Sequence, residues 1–184
     1  MRIISGKARG TKLYTLEGKN TRPTLDRVKE SLFNILQSKL QDATVLDVFS
    51  GSGALALESL SRGARKAILF DNSKQAISII KRNIEKTHFE PQTEVFLKDY
   101  KQGLKLINEK VDVVFVDPPY EQNIAAKAVE QIIKQDILKE DGIIILETDN
   151  VEREYKQLEI IKNINIKDLR EYGRVKLIFL NRKG

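Results

Sequence analysis

The order of apolar and polar residues changes near residue 43, where a regular alternation begins. From there, short runs of Val, Ile, Leu and Phe alternate with stretches in which apolar residues recur every three or four positions. Continuously apolar runs are typical of parallel strands covered on both faces, and the stretches between them are typical of the covering helices. The pattern predicts strands at residues 44–49, 67–70, 94–97, 111–116 and 142–147, separated by helices at residues 53–61, 73–86, 100–107 and 123–135.

The end of the chain breaks this alternation. Residues 160–166 and 175–180 both have the composition of strands, and Tyr172-Gly173 between them is typical of a turn. Two consecutive strands with no helix between them favour an antiparallel hairpin at the sheet edge. We therefore expect an α/β fold with a doubly wound, mostly parallel seven-stranded sheet that ends in such a hairpin.

The residues before the alternation have a different character. Residues 2–24 hold short apolar pieces separated by glycines, which is typical of a small hairpin or an extended arm. Pro23 disfavours a helical backbone at Arg22, and Thr24 can then cap a helix. The apolar residues that give this helix its 3.6-residue period are Leu25, Val28, Leu32, Ile35 and Leu36.

Charge adds a functional expectation, because the net charge of +6 lies in the first segment. Residues 1–40 contain nine basic and three acidic residues, so residues 41–184 are neutral. A basic segment beside a neutral body is typical of a protein that approaches a polyanion from one side. We predict one structural domain, with residues 1–40 as a basic arm and helix and residues 41–184 as the main body. The cations expected to contact nucleic acid are Arg2, Lys7, Arg9, Arg22 and Arg27.

Composition excludes several classes of site. The chain has no cysteine, which excludes disulfides, thiolate metal sites and cysteine nucleophiles, and its single histidine excludes a histidine cluster. We expect no metal. No apolar run is long enough to span a membrane, and the first residues do not resemble a secretory signal. The expectation is a cytoplasmic protein, and a monomer by default.

A glycine-containing loop follows the first predicted strand, Asp47-Val-Phe-Ser-Gly51-Ser-Gly53. Glycines let the backbone approach a ligand closely, and the helix that begins near Gly53 directs its amide dipole there. Asp71 ends the second strand, where a carboxylate can accept hydrogen bonds from both ribose hydroxyls. Nicotinamide and flavin enzymes share this pattern. The charge of Asp47, however, would repel a pyrophosphate and suits the ammonium group of a methionine moiety.

Asp117-Pro118-Pro119-Tyr120 follows the fourth predicted strand, at the sheet edge where cofactors bind. Pro119 keeps Pro118 extended, so the Pro118 carbonyl is held outward. Taken alone, the element could also be a strand-ending turn with a capping aspartate. After a Phe-Ser-Gly-Ser-Gly loop, it resembles the S-adenosylmethionine-dependent methyltransferases that modify exocyclic amino nitrogens.

The resemblance is closest to the RsmD family, which methylates N2 of a guanine in 16S ribosomal RNA. It covers nearly the whole chain and implies a Rossmann-like class I methyltransferase fold with S-adenosylmethionine as cofactor. The segments that carry it are Arg2-Ile-Ile-Ser-Gly, Arg22-Pro-Thr-Leu-Asp-Arg-Val-Lys-Glu30, Leu46-Asp-Val-Phe-Ser-Gly-Ser-Gly-Ala-Leu55, Glu58-Ser-Leu-Ser-Arg-Gly63, Val114-Phe-Val-Asp-Pro-Pro-Tyr120 and Tyr172-Gly-Arg-Val.

The family resemblance also implies roles for individual residues. Asp47 and the glycine loop would hold the methionine end of the cofactor, Asp71 the ribose, and Asp99 the adenine amino group. Asp99 could instead simply cap a helix. Residues 22–27 would close over the cofactor and face RNA, although Thr24 and Asp26 could merely begin a helix. The implied cofactor-binding residues are Asp47, Ser50, Gly51, Gly53, Asp71, Asn72, Asp99, Tyr100 and Thr24.

The implied catalytic residues are Asp117, Pro118 and Tyr120. The Asp117 carboxylate and the Pro118 carbonyl would accept the two N–H bonds of a guanine amino group, whose lone pair is otherwise delocalised into the ring. Tyr120 would stack on the base after the base leaves its neighbours, and so contact the substrate. The role of Glu147, at the end of the fifth strand, stays open.

Several readings remain open from the sequence. The substrate would be 16S ribosomal RNA, either free or in a partly assembled small subunit. DNA adenine-N6 or protein-glutamine methylation uses the same Asp-Pro-Pro-Tyr chemistry, and the basic arm favours nucleic acid over protein. A non-catalytic RNA-binding module or a nicotinamide oxidoreductase is disfavoured, because both the glycine loop and the Asp117–Tyr120 element are intact.

Overall fold

The computed structural model describes residues 1–16, 23–119 and 124–183, without the side chains of residues 23–25. Over those ranges, no helix is long and apolar enough to cross a membrane. The strands are β1 Thr44–Asp47, β2 Lys66–Asp71, β3 Thr93–Leu97, β4 Val111–Val116, β5 Leu138–Thr148, β6 Ile164–Tyr172 and β7 Val175–Arg182. The helices are α1 Pro23–Ile35, α2 Gln37–Leu40, α3 Ala54–Ser61, α4 Lys74–Thr87, α5 Tyr100–Leu104, α6 Ala125–Lys134 and α7 Val151–Leu158.

The seven strands form one sheet in the order β3-β2-β1-β4-β5-β7-β6. Strands β1 to β5 pair in parallel, whereas β7 is antiparallel to both β5 and β6. The predicted doubly wound sheet with an antiparallel hairpin is therefore confirmed. The chain moves outward from β1 to β3 and then crosses back to β4, so a crevice opens where the carboxyl ends of β1 and β4 lie side by side.

Helices cover both faces of the sheet. One core holds buried side chains of α1, α3 and α4, such as Phe33, Leu57 and Ile80. The other holds side chains of α5, α6 and α7, such as Leu104 and Val129. Successive strand residues point to opposite faces of the sheet, and helices cover both faces, so every residue of β1 is buried. Burial on both faces explains the continuously apolar runs in the sequence.

The first residues form a small antiparallel arm on α3. An antiparallel bridge joins Arg2 to Lys12, and Ile3 is fully buried in the core that also contains α1. Gly6 has a φ of 83°, and a Cβ there would lie 1.7 Å from the carbonyl oxygen of Ser61, so the contact requires glycine. The neighbouring Lys7 N–H donates to that carbonyl at 2.8 Å. The predicted hairpin is thus tied to the end of α3.

The main differences from the predicted elements lie near the end of the chain. The strand predicted at residues 160–166 is wrong in position, because Ile160 is 80% exposed and Asn163 turns the chain with a φ of 64° before β6 begins. β5 begins four residues earlier than residue 142, beyond a register shift in its pairing with β4. The turn predicted at Tyr172-Gly173 does join β6 to β7.

Two helices were not predicted. Half of the residues of α7 are charged, but Asn150 caps the helix by accepting a hydrogen bond from the Arg153 N–H at 2.9 Å, and Val151, Tyr155 and Leu158 have helical spacing. That signal was present in the sequence. α2 has only four residues, too few for a periodic pattern. The bounds of β4 are as predicted, and the other elements with predicted bounds agree with them to within three residues at each end.

Candidate active site

A cleft of about 790 Å³ opens at the carboxyl ends of the central strands. Its walls come from the arm, from α1, from the segments that follow β1, β2, β3 and β4, and from Glu147 near the end of β5. The cleft brings together most of the residues predicted to bind cofactor or to catalyse transfer, although these are far apart in sequence. The predicted residues in its walls are Asp47, Ser50, Gly51, Asp71, Asn72, Asp99, Tyr100, Asp117 and Pro118.

The glycine loop is fastened to β2. The Ser50 N–H donates to the Phe70 carbonyl at 2.9 Å, and the Gly51 N–H donates to Asp71 Oδ2 at 2.9 Å. Gly53 does not line the cleft but precedes α3 with a φ of 77°, and a Cβ there would lie 3.2 Å from Leu69. Gly53 therefore permits the tight turn from strand to helix, whereas Gly51 and Ser50 form the wall.

Asp47 is the most unusual group in the cleft wall. It is 1% exposed, and its Oδ1 has no hydrogen-bond partner among the described residues. Burial, and then the negative charge of Asp71, raise the pKa of Asp47 to about 7, while backbone N–H groups of Ala56 and Phe49 act in the opposite direction. An ammonium group placed here would donate a hydrogen bond to Asp47 Oδ1. It would also supply a positive charge beside the ionised carboxylate. The site thus fits the ammonium end of S-adenosylmethionine.

Two further carboxylates lie at the ends of the next strands. Asp71 accepts hydrogen bonds from the N–H groups of Gly51 and Ser73, each at 2.9 Å. Asp99 caps α5 by accepting from the Gln102 N–H at 2.9 Å, so the capping role considered for it is present in the structure. Each carboxylate oxygen has two lone pairs, so both groups retain acceptors for ligand hydroxyl or amino groups.

Aromatic rings form another part of the wall. Tyr100 is buried and packs against Phe49, with 5.5 Å between ring centroids. Burial, and then the charge of Asp99, raise the pKa of the Tyr100 hydroxyl. Phe49 was not singled out in the sequence, although it lies inside the glycine-loop motif. The two rings give the cleft an apolar surface beside the Asp99 carboxylate, as a flat heteroaromatic ring requires.

Asp117 and Glu147 are neighbours at one edge of the cleft. The residues that precede them, Val116 and Leu146, are paired in the β4–β5 register, so Asp117, directly after β4, lies beside Glu147, which is still part of β5. Asp117 is half-buried, and both residues have interaction partners. Pro118 is buried, while Tyr120 falls outside the described residues.

Lys29 was counted among the basic residues of the first segment, but it is not a surface cation. It is 5% exposed, and its Nζ lies 3.2 Å from Oε2 of the fully buried Glu58. Glu58 also accepts hydrogen bonds from the Ile4 and Ser5 N–H groups and from Arg62 Nε. Burial lowers the pKa of Lys29 despite this pairing. The lysine joins α1, α3 and the arm, and it is not free to contact a polyanion.

The other predicted nucleic-acid contacts lie on the surface and outside the cleft. Lys7, Arg9 and Arg27 are exposed, and Arg2 is exposed but lies 3.4 Å from Asp26. Arg22 falls outside the described residues, and so does the side chain of Thr24. None of these four described cations lines the cofactor-sized cleft.

Comparison with known proteins identifies the group to which this architecture belongs. A family profile described as "Conserved hypothetical protein 95" matches residues 1–181. The Haemophilus influenzae "Ribosomal RNA small subunit methyltransferase D" is 38% identical over 152 residues, which cover 81% of this chain and 79% of that protein. The chain belongs to the RsmD family.

Two further matches extend over the full length. The Bacillus subtilis protein named "Putative rRNA methyltransferase YlbH" is 32% identical over 100% of both chains. The solved structure titled "Putative methyltransferase yhhF from Escherichia coli" has a TM-score of 0.86 and 30% identity, and the match covers 100% of this chain and 98% of that one. The Rossmann-like class I methyltransferase fold and S-adenosylmethionine as cofactor, both expected from the resemblance, are confirmed.

Proposed function

We propose that this RsmD-family methyltransferase transfers a methyl group from S-adenosylmethionine to the N2 amino group of a guanine in small-subunit (16S) ribosomal RNA. One observation carries the proposal. Asp117 and Pro118 lie in the wall of the same cleft as Asp47 and Asp71. A pair of acceptors suited to an amino group thus adjoins the groups suited to the cofactor.

The cofactor would lie along the strand ends. Asp47 would pair with its ammonium group, Asp71 would accept from the ribose hydroxyls, and Asp99 would accept from the adenine amino group beside Tyr100. When bound, the cofactor supplies a methyl group on a positively charged sulfur. The buried and partnerless Oδ1 of Asp47 supports this orientation, because no other part of the cofactor offers a cationic N–H donor.

The amino group would be activated by its hydrogen bonds. The Asp117 carboxylate and the Pro118 carbonyl would each accept one N–H, which favours a pyramidal nitrogen with its lone pair available. The carboxylate would also stabilise the positive charge that develops on nitrogen and accept the proton that the product loses. Tyr120, from the same motif, would stack on the base and hold it. Asp117 and Pro118 would therefore hold the nucleophile in a reactive orientation, which lowers the entropic part of the activation barrier.

The surface cations of the arm would position the RNA. Lys7, Arg9 and Lys12 are exposed, and none has a carboxylate within salt-bridge distance among the described residues. We place the reaction in the cytoplasm and treat the enzyme as a monomer whose substrate is 16S RNA, free or in a partly assembled subunit. The names of the relatives support ribosomal RNA as the substrate class.

Competing substrates can be separated by a methyl-transfer assay. Protein and S-adenosylmethionine with a labelled methyl group are incubated with small-subunit ribosomal RNA, duplex DNA carrying adenine sites, or a release-factor protein. The last is included because a "Release factor glutamine methyltransferase" is 32% identical over 50% of this chain. We expect label in RNA alone, incorporated at a rate lower by ~10²–10³ with Asp117→Asn. Label in DNA or protein in preference to RNA would overturn the proposed substrate.

A further inference from the structure

Residues 41–184 have no net charge in sum, but α4 carries a row of exposed basic side chains, here called the α4 ridge. Four exposed positions follow one another at intervals of four residues, Lys74, Ser78, Arg82 and Lys86, and such positions lie on the same side of a helix. The ridge is about 18 Å long at 1.5 Å per residue. None of its three cations has a carboxylate within salt-bridge distance in the part of the chain that the structure describes.

The arm meets this ridge at Tyr14. The Arg82 guanidinium lies 3.9 Å from the centre of the Tyr14 ring, and Lys86 Nζ lies 4.6 Å from it. Tyr14 as a whole residue is 40% exposed. Aromatic rings and arginine planes that are open to solvent and surrounded by positive charge are the contacts on which single-stranded nucleic acid stacks.

The junction is held in place by a buried side chain. Asn83 Oδ1 accepts a hydrogen bond from the Tyr14 N–H at 2.8 Å, and Asn83 Nδ2 donates to the Tyr14 carbonyl at 3.0 Å. The same Nδ2 donates to the carbonyl of Ser52, in the glycine loop, at 2.9 Å. Asn83 is fully buried. The junction is thus rigidly connected to the loop that forms the cofactor cleft.

The junction between Tyr14 and α4 lies close to the cofactor cleft. Thr15 and Leu16, which directly follow Tyr14, line the cleft, and consecutive Cα atoms are only about 3.8 Å apart. Lys12, on the arm, lies two residues before Tyr14, and Lys74, on α4, directly follows Ser73, which lines the cleft. A strand bound along this surface would therefore reach the mouth of the cleft.

We propose that the α4 ridge, with Tyr14 at its junction with the arm, is a docking surface for the substrate RNA strand. This proposal rests on the proposed function, since it assumes that RNA is the substrate. It extends the earlier expectation, in which RNA contact depended on residues 1–40 alone. Arg82 and Lys86 would bind phosphates, and a base would stack on the Tyr14–Arg82 pair.

The test measures RNA affinity as a function of salt. On a single strand, two phosphate contacts contribute about 1.4 to the magnitude of the slope of log K against log salt, which corresponds to about 25-fold in affinity at 0.1 M salt. We expect the double variant Arg82→Gln and Lys86→Gln to lose affinity and slope by these amounts for a single-stranded fragment of small-subunit ribosomal RNA. The matched control is Lys105→Gln with Lys127→Gln, two exposed lysines on the α5 and α6 side of the sheet, which makes the same charge change.

A second pair of variants tests the aromatic ring. Tyr14→Phe keeps the ring and should bind normally, whereas Tyr14→Leu should bind several-fold more weakly, and both keep the backbone bonds to Asn83. S-adenosylmethionine affinity, measured by calorimetry, should be unchanged in all variants. Equal RNA affinity for the α4 and control pairs would overturn this proposal, and so would weaker binding only to whole subunits, which would indicate a protein partner. If the unaltered protein bound neither free RNA nor partly assembled small subunits, the proposed function itself would fail.

Discussion

Replacing Asp47 with asparagine should change how stability depends on pH. The pKa of Asp47 is about 7 in the folded protein and 3.8 in the reference state, so the folded protein binds more protons between those values. Stability must therefore fall as pH rises through this window. At 1.36 kcal/mol per pKa unit, the loss between pH 5 and pH 8 is about 2–3 kcal/mol. Asparagine keeps the size of the side chain but has no charge to bury, so this loss should vanish.

The assay is chemical denaturation of the cofactor-free protein, followed at pH 5, 6, 7 and 8 for the natural chain and for Asp47→Asn. The difference between the two free energies of unfolding removes the contributions of all other titrating groups. Binding gives an independent readout with the opposite sign, because the cofactor's ammonium group pairs with the ionised carboxylate. Cofactor affinity should rise about tenfold from pH 5 to pH 6 in the natural chain, and should not rise in the variant.

Two results would refute this reasoning. If the two unfolding curves shifted equally with pH, Asp47 would titrate normally, and its burial would have no electrostatic consequence. If affinity for S-adenosylmethionine followed the same pH course in both proteins, the ammonium group would bind elsewhere in the cleft.

Three further variants test the other proposed roles. Asp117→Asn should lower the rate of methyl transfer by ~10²–10³ while cofactor affinity, measured by calorimetry, stays within a few-fold; normal turnover would remove Asp117 from the mechanism. Asp71→Ala should weaken cofactor binding by roughly 1–3 kcal/mol, and unchanged affinity would mean that the ribose is bound by another group. Reversing Lys7, Arg9 and Lys12 to Glu should weaken RNA binding and flatten its salt dependence, yet single-turnover methylation at saturating RNA should recover; an unaltered salt slope would show that RNA does not use the arm.

The sheet was predictable because burial on both faces leaves a direct mark on the sequence. Residues 111–116 are apolar at every position except Asp112, and the residues that follow the central strands identified the cleft. α7 escaped prediction because its outer face is charged and only its spacing of apolar residues indicates a helix. The shift of β6 depends on one residue, Asn163, with a left-handed backbone that composition does not specify.

Tertiary pairing was harder to foresee than secondary structure. Lys29 and Glu58 lie 29 residues apart in sequence, and nothing local distinguishes Lys29 from the exposed cations around it. Counting Lys29 as a free surface cation therefore overestimated the positive charge that residues 1–40 can offer to a polyanion. The α4 cations escaped notice for the converse reason, because acidic residues elsewhere in the main body cancel them in the sum. Net charge over a long segment therefore says little about a single face.

Nucleoside analysis tests most directly whether this enzyme methylates N2 of guanine in small-subunit ribosomal RNA, as we propose. Unmethylated small-subunit RNA, free or within assembled subunits, is treated with the enzyme and S-adenosylmethionine, digested to nucleosides and analysed by mass spectrometry against authentic standards. We predict N2-methylguanosine as the product, formed at a rate lower by ~10²–10³ with Asp117→Asn. Methylated adenosine, or guanosine methylated at another nitrogen, would contradict the claim.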